Sequence, residues 1–118
     1  MVMFSRFVPD RGDVVWLNFH PSHGHEQAGR RPAIVLSPAD YNARAGLAIV
    51  CPVTGRVKHY PFEVAIPEGE GIRGAVLSDQ IRSVDWKVRK AKLICRLSMP
   101  VTWQVLNKLN TLLFAQLR

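Results

Sequence analysis

The chain has 118 residues, 47% of them hydrophobic, and carries 16 Lys and Arg against 9 Asp and Glu, a net charge of +7. That length predicts one domain, residues 1–118, able to hold a core without disulfide or metal staples, and the hydrophobic fraction excludes a disordered chain. The positive charge favours a polyanionic partner, nucleic acid or an acidic protein segment. No apolar run reaches the ~18 residues a membrane span needs. The start, MVMFSRF, lacks the apolar stretch of a signal peptide, so no membrane association and a cytoplasmic location are expected.

In chain order, Pro9 and Gly12 mark a turn before a first strand, Val14 to Phe19, with Trp16 on one face and Val15, Leu17 and Phe19 on the other. A loop of about ten residues follows, rich in glycine and histidine (His20, His23, His25), long for a hairpin and therefore a candidate for function. Ala33 to Leu36 is continuously apolar, the pattern of a strand covered on both sides. Ser37 is predicted to cap a short helix with Pro38 in its first position, ended by Gly46. Leu47 to Cys51 is a second buried strand, closed by a turn that brings Thr54 to its end. Short strands follow over 62–66, 74–77, 80–84 and 92–97. Many short strands with no helices between them predict an antiparallel barrel, not a parallel sheet.

Beyond Val101 the period changes. Val105, Leu106, Leu109, Leu112, Leu113 and Leu117 fall at spacings of three and four, one face of a helix, with Ser98 and Pro100 as its start signal. A terminal helix this apolar must dock on the barrel or on a partner. Cys51 and Cys95 sit in apolar runs without metal-motif spacing and read as free thiols. Six of the sixteen cations lie between Arg82 and Arg96, with Trp86 among them, a pattern that suits a phosphate-binding stripe.

The candidate chemistry clusters in the run 26–32, EQAGRRP, where Glu26 and Arg31 flank Gly29. Cleaving RNA without a metal requires a base for the 2′-hydroxyl proton, a donor to the phosphate and an acid for the leaving 5′-oxygen. Glu26 has the chemistry of the base. Arg31 suits the phosphate, which a guanidinium grips as a fork, and Thr54 can add a hydrogen bond there. The histidines lack the spacing of a helical or zinc-finger metal site and read as solvent-exposed; His25, beside Glu26, is a second proton carrier.

Several runs resemble the MazF/PemK family of toxin endoribonucleases: RFVPDRGDVVWLNF (6–19), EQAGRRPAIVLSP (26–38) with Tyr41 and Asn42, YPFEV (60–64) and DQIRS (79–83). The resemblance implies a mainly β fold with a C-terminal helix, the SH3-like antiparallel barrel of the plasmid-toxin (CcdB/Kid/MazF) type, assembled as a homodimer. It implies a toxin of a type II toxin–antitoxin system, an mRNA interferase. Such an enzyme cuts single-stranded RNA at a short recognition sequence, independently of the ribosome and with no cofactor or metal, and leaves a 2′,3′-cyclic phosphate and a 5′-hydroxyl. Its partner would be a MazE-like antitoxin with an acidic C-terminal tail. The family's essential arginine, threonine and loop glutamate match Arg31, Thr54 and Glu26. His25 and Gln80 are secondary candidates, and Arg30, Arg56, Lys58, Arg82, Arg89 and Lys90 are expected to meet RNA. Gly55 and Arg56 follow Thr54 where some members have a second threonine, and Arg30 precedes Arg31 where some have histidine, so the RNA sequence preference does not carry over. Two rivals need neither Glu26 nor Arg31: a toxin of this fold that inhibits DNA gyrase without catalysis, and a plain nucleic-acid-binding barrel.

Overall fold

The computed structural model describes residues 7–19 and 29–114. Among the described residues the elements run β1 (Asp13–Asn18), β2 (Arg30–Val35), α1 (Ala39–Ala45), β3 (Ala48–Thr54), β4 (Glu63–Ala65), β5 (Ala75–Leu77), β6 (Arg82–Val84), β7 (Lys92–Arg96) and α2 (Met99–Leu113). The strands pair antiparallel in the order β4-β5-β3-β2-β1-β7, with β6 also beside β3. This is the expected mainly antiparallel architecture with a C-terminal helix, although hydrogen bonding does not close the sheet, since β4 and β7 end the order. The curl comes from β3. Its first residues pair with β6 and its last, Val53 and Thr54, with β5, both along the edge opposite β2. A strand that serves two partners in succession must twist between them.

The curled sheet is covered on both faces. One face packs Val14, Ile34, Cys51, Val53 and Val76 against Val101, Val105 and Leu109 of α2. The other packs Val15, Leu17, Ala33, Val35 and Val50 with Val84 and Trp86. Alternate residues of the Ala33–Leu36 run therefore enter different cores, which is why that run is apolar throughout.

Three expectations are revised. β2 begins at Arg30, not Ala33, because Pro32, Arg31 and Arg30 continue the ladder against Trp16, Leu17 and Asn18. Backbone pairing is indifferent to the polarity that suggested a later start. Ser37 does not cap α1: Pro38 is the N-cap residue, and the Ala39 N–H donates to Asp10 Oδ1 at 2.8 Å. The Ser37 hydroxyl instead donates to Asn42 Oδ1 and accepts the Ile49 N–H, tying α1 to β3. α2 begins at Met99 with Ser98 as its N-cap residue, as expected, but its apolar face docks on the sheet only in part: Leu112 and Leu113 are 44% and 67% exposed, and Leu117 lies outside the described residues. Its buried residues are Val101, Thr102, Val105 and Leu109. Cys51 and Cys95 are free thiols, and among the described residues no helix is long and apolar enough to cross a membrane.

Candidate functional site

Arg31 and Thr54 sit at the open end of the β2–β3 ladder. Its register pairs Val35 with Val50, Ile34 with Cys51 and Ala33 with Pro52. The pairing ends there, but both strands run on, so by alternation Arg31 keeps the face of Ala33 and Thr54 the face of Pro52. Residues opposite one another in an antiparallel pair share a face, so Arg31, Ala33, Pro52 and Thr54 all project from one side of the sheet. A cavity of about 460 Å³ opens on that side, with Phe19, Arg31, Pro52, Gln80 and Arg82 in its wall. A smaller cavity of about 170 Å³ adjoins it, walled by Thr54, Arg56, Lys58, Tyr60, Glu63 and Gln80. Gln80 lines both, so the two cavities are neighbours, with Arg31 in the wall of one and Thr54 in the wall of the other.

The polar groups of the groove are oriented by the backbone. Arg56 N–H donates to Thr54 Oγ1 at 3.0 Å. With that lone pair occupied, the threonine's own proton remains available to a ligand oxygen. Arg31 is exposed, and among the described residues its guanidinium has no ion-pair partner. Tyr60 donates its hydroxyl to Asp79 Oδ1 at 2.8 Å; burial, then that carboxylate, raise the phenol's pKa.

The remaining candidates divide. Arg82 and Arg89 converge on Phe19, their guanidinium carbons 5.2 and 5.5 Å from the ring centroid, a cation–π arrangement at the groove wall. Arg30 is tied elsewhere: Nη1 donates to Asn18 Oδ1 and Nη2 to the Lys90 carbonyl, both at 2.8 Å, while Lys90 itself has a left-handed backbone. Glu26 and His25, with His20 and His23, lie outside the described residues.

The stretch from Arg82 to Arg96 does not form one stripe. Arg96 binds Asp13 at 2.6 Å and Asp10 at 3.4 Å, and Lys87 lies 5.4 Å over Trp86. β6, the turn after it and β7 run on different paths, so cations adjacent in sequence part company. Phe19, Tyr60 and Glu63 were not singled out from sequence. No periodicity links them to the arginine; only the position of Phe19 at the mouth of the histidine loop hinted at a role.

A larger cavity of about 700 Å³ is mainly apolar and lies elsewhere, walled by Leu36, Tyr41, Ile81, Trp103, Leu106 and Leu113. Ile81 also lines the Arg31 cavity, so one side chain borders both.

A family model described as PemK-like, MazF-like toxin of type II toxin-antitoxin system matches residues 10–113. The chain is 48% identical over 89 residues to the endoribonuclease toxin MazF of Escherichia coli (strain K12), covering 75% of this chain and 79% of that one. It matches the crystal structure of MazF (Form-I) from Deinococcus radiodurans with a TM-score of 0.82 and 53% identity, over 92% of this chain and 98% of that one. A MazE–MazF crystal structure (Form-II) from the same organism matches with a TM-score of 0.83 and 47% identity, over 94% of this chain and 100% of that one.

Proposed function

We propose, from the premise that this chain belongs to the PemK-like, MazF-like toxins of type II toxin–antitoxin systems, that it is an endoribonuclease whose catalytic groove is the one between Arg31 and Thr54. Its substrate is single-stranded mRNA, cut at a short sequence without the ribosome or a metal ion. The carrying observation is the shared face of Arg31 and Thr54 at the end of the β2–β3 ladder. A scissile phosphate set between them meets a free cation and a hydroxyl donor together.

The reaction is a transesterification. The 2′-oxygen attacks phosphorus and its proton passes to a base, Glu26 or His25 of the adjoining loop. The P–O5′ bond breaks, and the products are a 2′,3′-cyclic phosphate and a 5′-hydroxyl. Arg31 grips the non-bridging oxygens as negative charge builds, and Thr54 donates to the same group. An arginine holds its proton far above neutral pH, which makes it a poor base. A departing alkoxide is more basic still, so Arg31 suits the acid that protonates the 5′-oxygen. Phe19, with Arg82 and Arg89, offers a flat ring and two charges to the neighbouring nucleotide.

The apolar groove supports a homodimer. Tyr41, Ile81, Trp103 and Leu113 are 41%, 40%, 48% and 67% exposed in one stretch of surface, the mark of a contact patch. Because Ile81 borders both cavities, a second copy seated there adjoins the catalytic groove. The 47% identical MazE–MazF structure and the net charge of +7 support a MazE-like antitoxin with an acidic tail as the partner, acting in the cytoplasm.

The test is incubation of the purified protein with a long defined RNA in EDTA, with both new ends mapped. Expected is cleavage at a recurring sequence with cyclic-phosphate and 5′-hydroxyl ends, reduced at least about a hundredfold in Arg31→Ala at unchanged melting temperature. No cleavage of any long RNA by the wild type refutes the proposal.

A further inference from the structure

The segment joining β3 to β4 carries Arg56 and Lys58 beside Thr54 and has no strand or helix of its own. Such a segment is ordinarily loose, yet this one is tied along its length. Arg56 N–H donates to Thr54 Oγ1. Lys58 N–H donates to both carboxylate oxygens of Glu63, at 3.1 and 3.0 Å, and His59 N–H to Glu63 Oε1 at 2.8 Å. Glu63 N–H donates back to the Tyr60 carbonyl at 3.0 Å. The Tyr60 hydroxyl reaches Asp79, the residue before Gln80.

Two successive N–H groups thus turn onto one carboxylate, and the chain leaves them through His59 at a left-handed φ of 60°. Successive N–H groups converging on one point make a nest, the kind of concavity in which loops hold anions. Here the chain's own carboxylate fills it.

Resting on the endoribonuclease reading, we infer that Glu63 is a positioning residue for RNA engagement. Its carboxylate occupies the nest and holds the Arg56–His59 arm, so that two cations stand fixed beside Thr54. Without it, Arg56 and Lys58 have to be ordered by the RNA itself, which weakens binding more than it slows chemistry. Glu63 also lines the small cavity, so its acting there as a proton carrier is the alternative the experiment must separate. Glu63→Gln does so. Oε1 already takes an N–H from both Lys58 and His59, so an amide oxygen keeps both bonds while losing basicity.

The experiment is steady-state cleavage of a fluorogenic oligoribonucleotide at several salt concentrations by wild type, Glu63→Ala and Glu63→Gln. Expected for Glu63→Ala is a KM raised about tenfold with kcat within about threefold of wild type, and a salt slope within about one ion of wild type, because the same cations still meet phosphate once ordered. Glu63→Gln returns KM to within about twofold. Equal loss of kcat in both variants overturns the inference in favour of proton transfer. An unchanged KM in Glu63→Ala overturns it outright, and a lower KM shows that RNA competes for the nest.

Should Glu63→Ala melt below the assay temperature, Tyr60→Phe cuts the tie to Asp79 instead. Expected there is a KM raised about two- to fourfold at unchanged kcat; an unchanged KM overturns the inference. Absence of cleavage by the wild type marks failure of the endoribonuclease reading, not of the arm. In that event anisotropy with an uncleavable 2′-deoxy oligonucleotide still compares the variants, and equal affinities overturn the inference.

Discussion

Gly74 is a backbone position on which the placement of Thr54 depends. It precedes β5, whose Ala75 pairs with Thr54, and its φ is +123°, a value side chains rarely allow. A Cβ placed there falls 2.1 Å from the Thr54 carbonyl oxygen and 3.1 Å from its carbon. Because Cβ atoms essentially never come within 3.0 Å of another heavy atom, the contact in Gly74→Ala must open by about 0.9 Å. The obstacle is backbone on both sides, so no rotamer change relieves it.

Holding alanine at that φ costs ~1–3 kcal/mol, and displacing a packed neighbour ~1–3 kcal/mol more. A loss of about 3 kcal/mol is expected, against a total stability of ~5–15 kcal/mol. With an m-value of ~1.5 kcal/mol/M, the urea midpoint falls by about 2 M. The part of the strain that is not relieved by unfolding moves the end of β3, and misplacing a catalytic group by ~1 Å costs about a hundredfold in rate. Urea melts read the first effect, and cleavage of an oligoribonucleotide by the folded fraction reads the second. Gly55→Ala, one residue past Thr54, is the control, since nothing lies within 4 Å of its Cβ and its φ is ordinary. Gly74→Ala within about 0.5 kcal/mol of wild type and fully active would refute the close approach at Thr54.

Thr54→Val keeps shape and removes the hydroxyl, so kcat should fall ~10²–10³-fold with little change in melting temperature; a rate within tenfold of wild type removes Thr54 from the mechanism. Asp10 has its pKa lowered, chiefly by the Ala39 N–H and then by Arg11 and Arg96 against an opposing burial effect. The unfolded chain therefore takes up this proton first as acid is added, and the stability Asp10 contributes is present above its ordinary 3.8 and lost as pH falls through the lower folded value. Urea melts between pH 5 and 2 should show wild type losing more stability than Asp10→Asn, and parallel curves would count against the remote cap. Cys51 is pushed up to about 12 by burial and by the Asp79 charge, and its thiol donates to the Ser78 carbonyl at 3.6 Å. At pH 8 a thiol reagent should therefore titrate at most one cysteine in the native protein and two in denaturant; two rapid native reactions would contradict that burial.

The sequence by itself determined what depends on near neighbours and on chemical type. Gly46 in a left-handed conformation ends α1, Ser98 starts α2, and the uninterrupted run Ala33–Leu36 reports a strand with a core on each face. A guanidinium and a hydroxyl suited to phosphate were legible at Arg31 and Thr54 for the same reason. Tertiary structure alone decided which distant groups meet. Asp10 caps a helix 29 residues away, Arg96 is drawn out of the basic stretch by Asp10 and Asp13, and Phe19 collects Arg82 and Arg89. Those encounters follow from strand register and from the bend in β3. Register is a cooperative property of the whole sheet: a period-two pattern says which face a side chain takes, and only the paired strands say what stands opposite it.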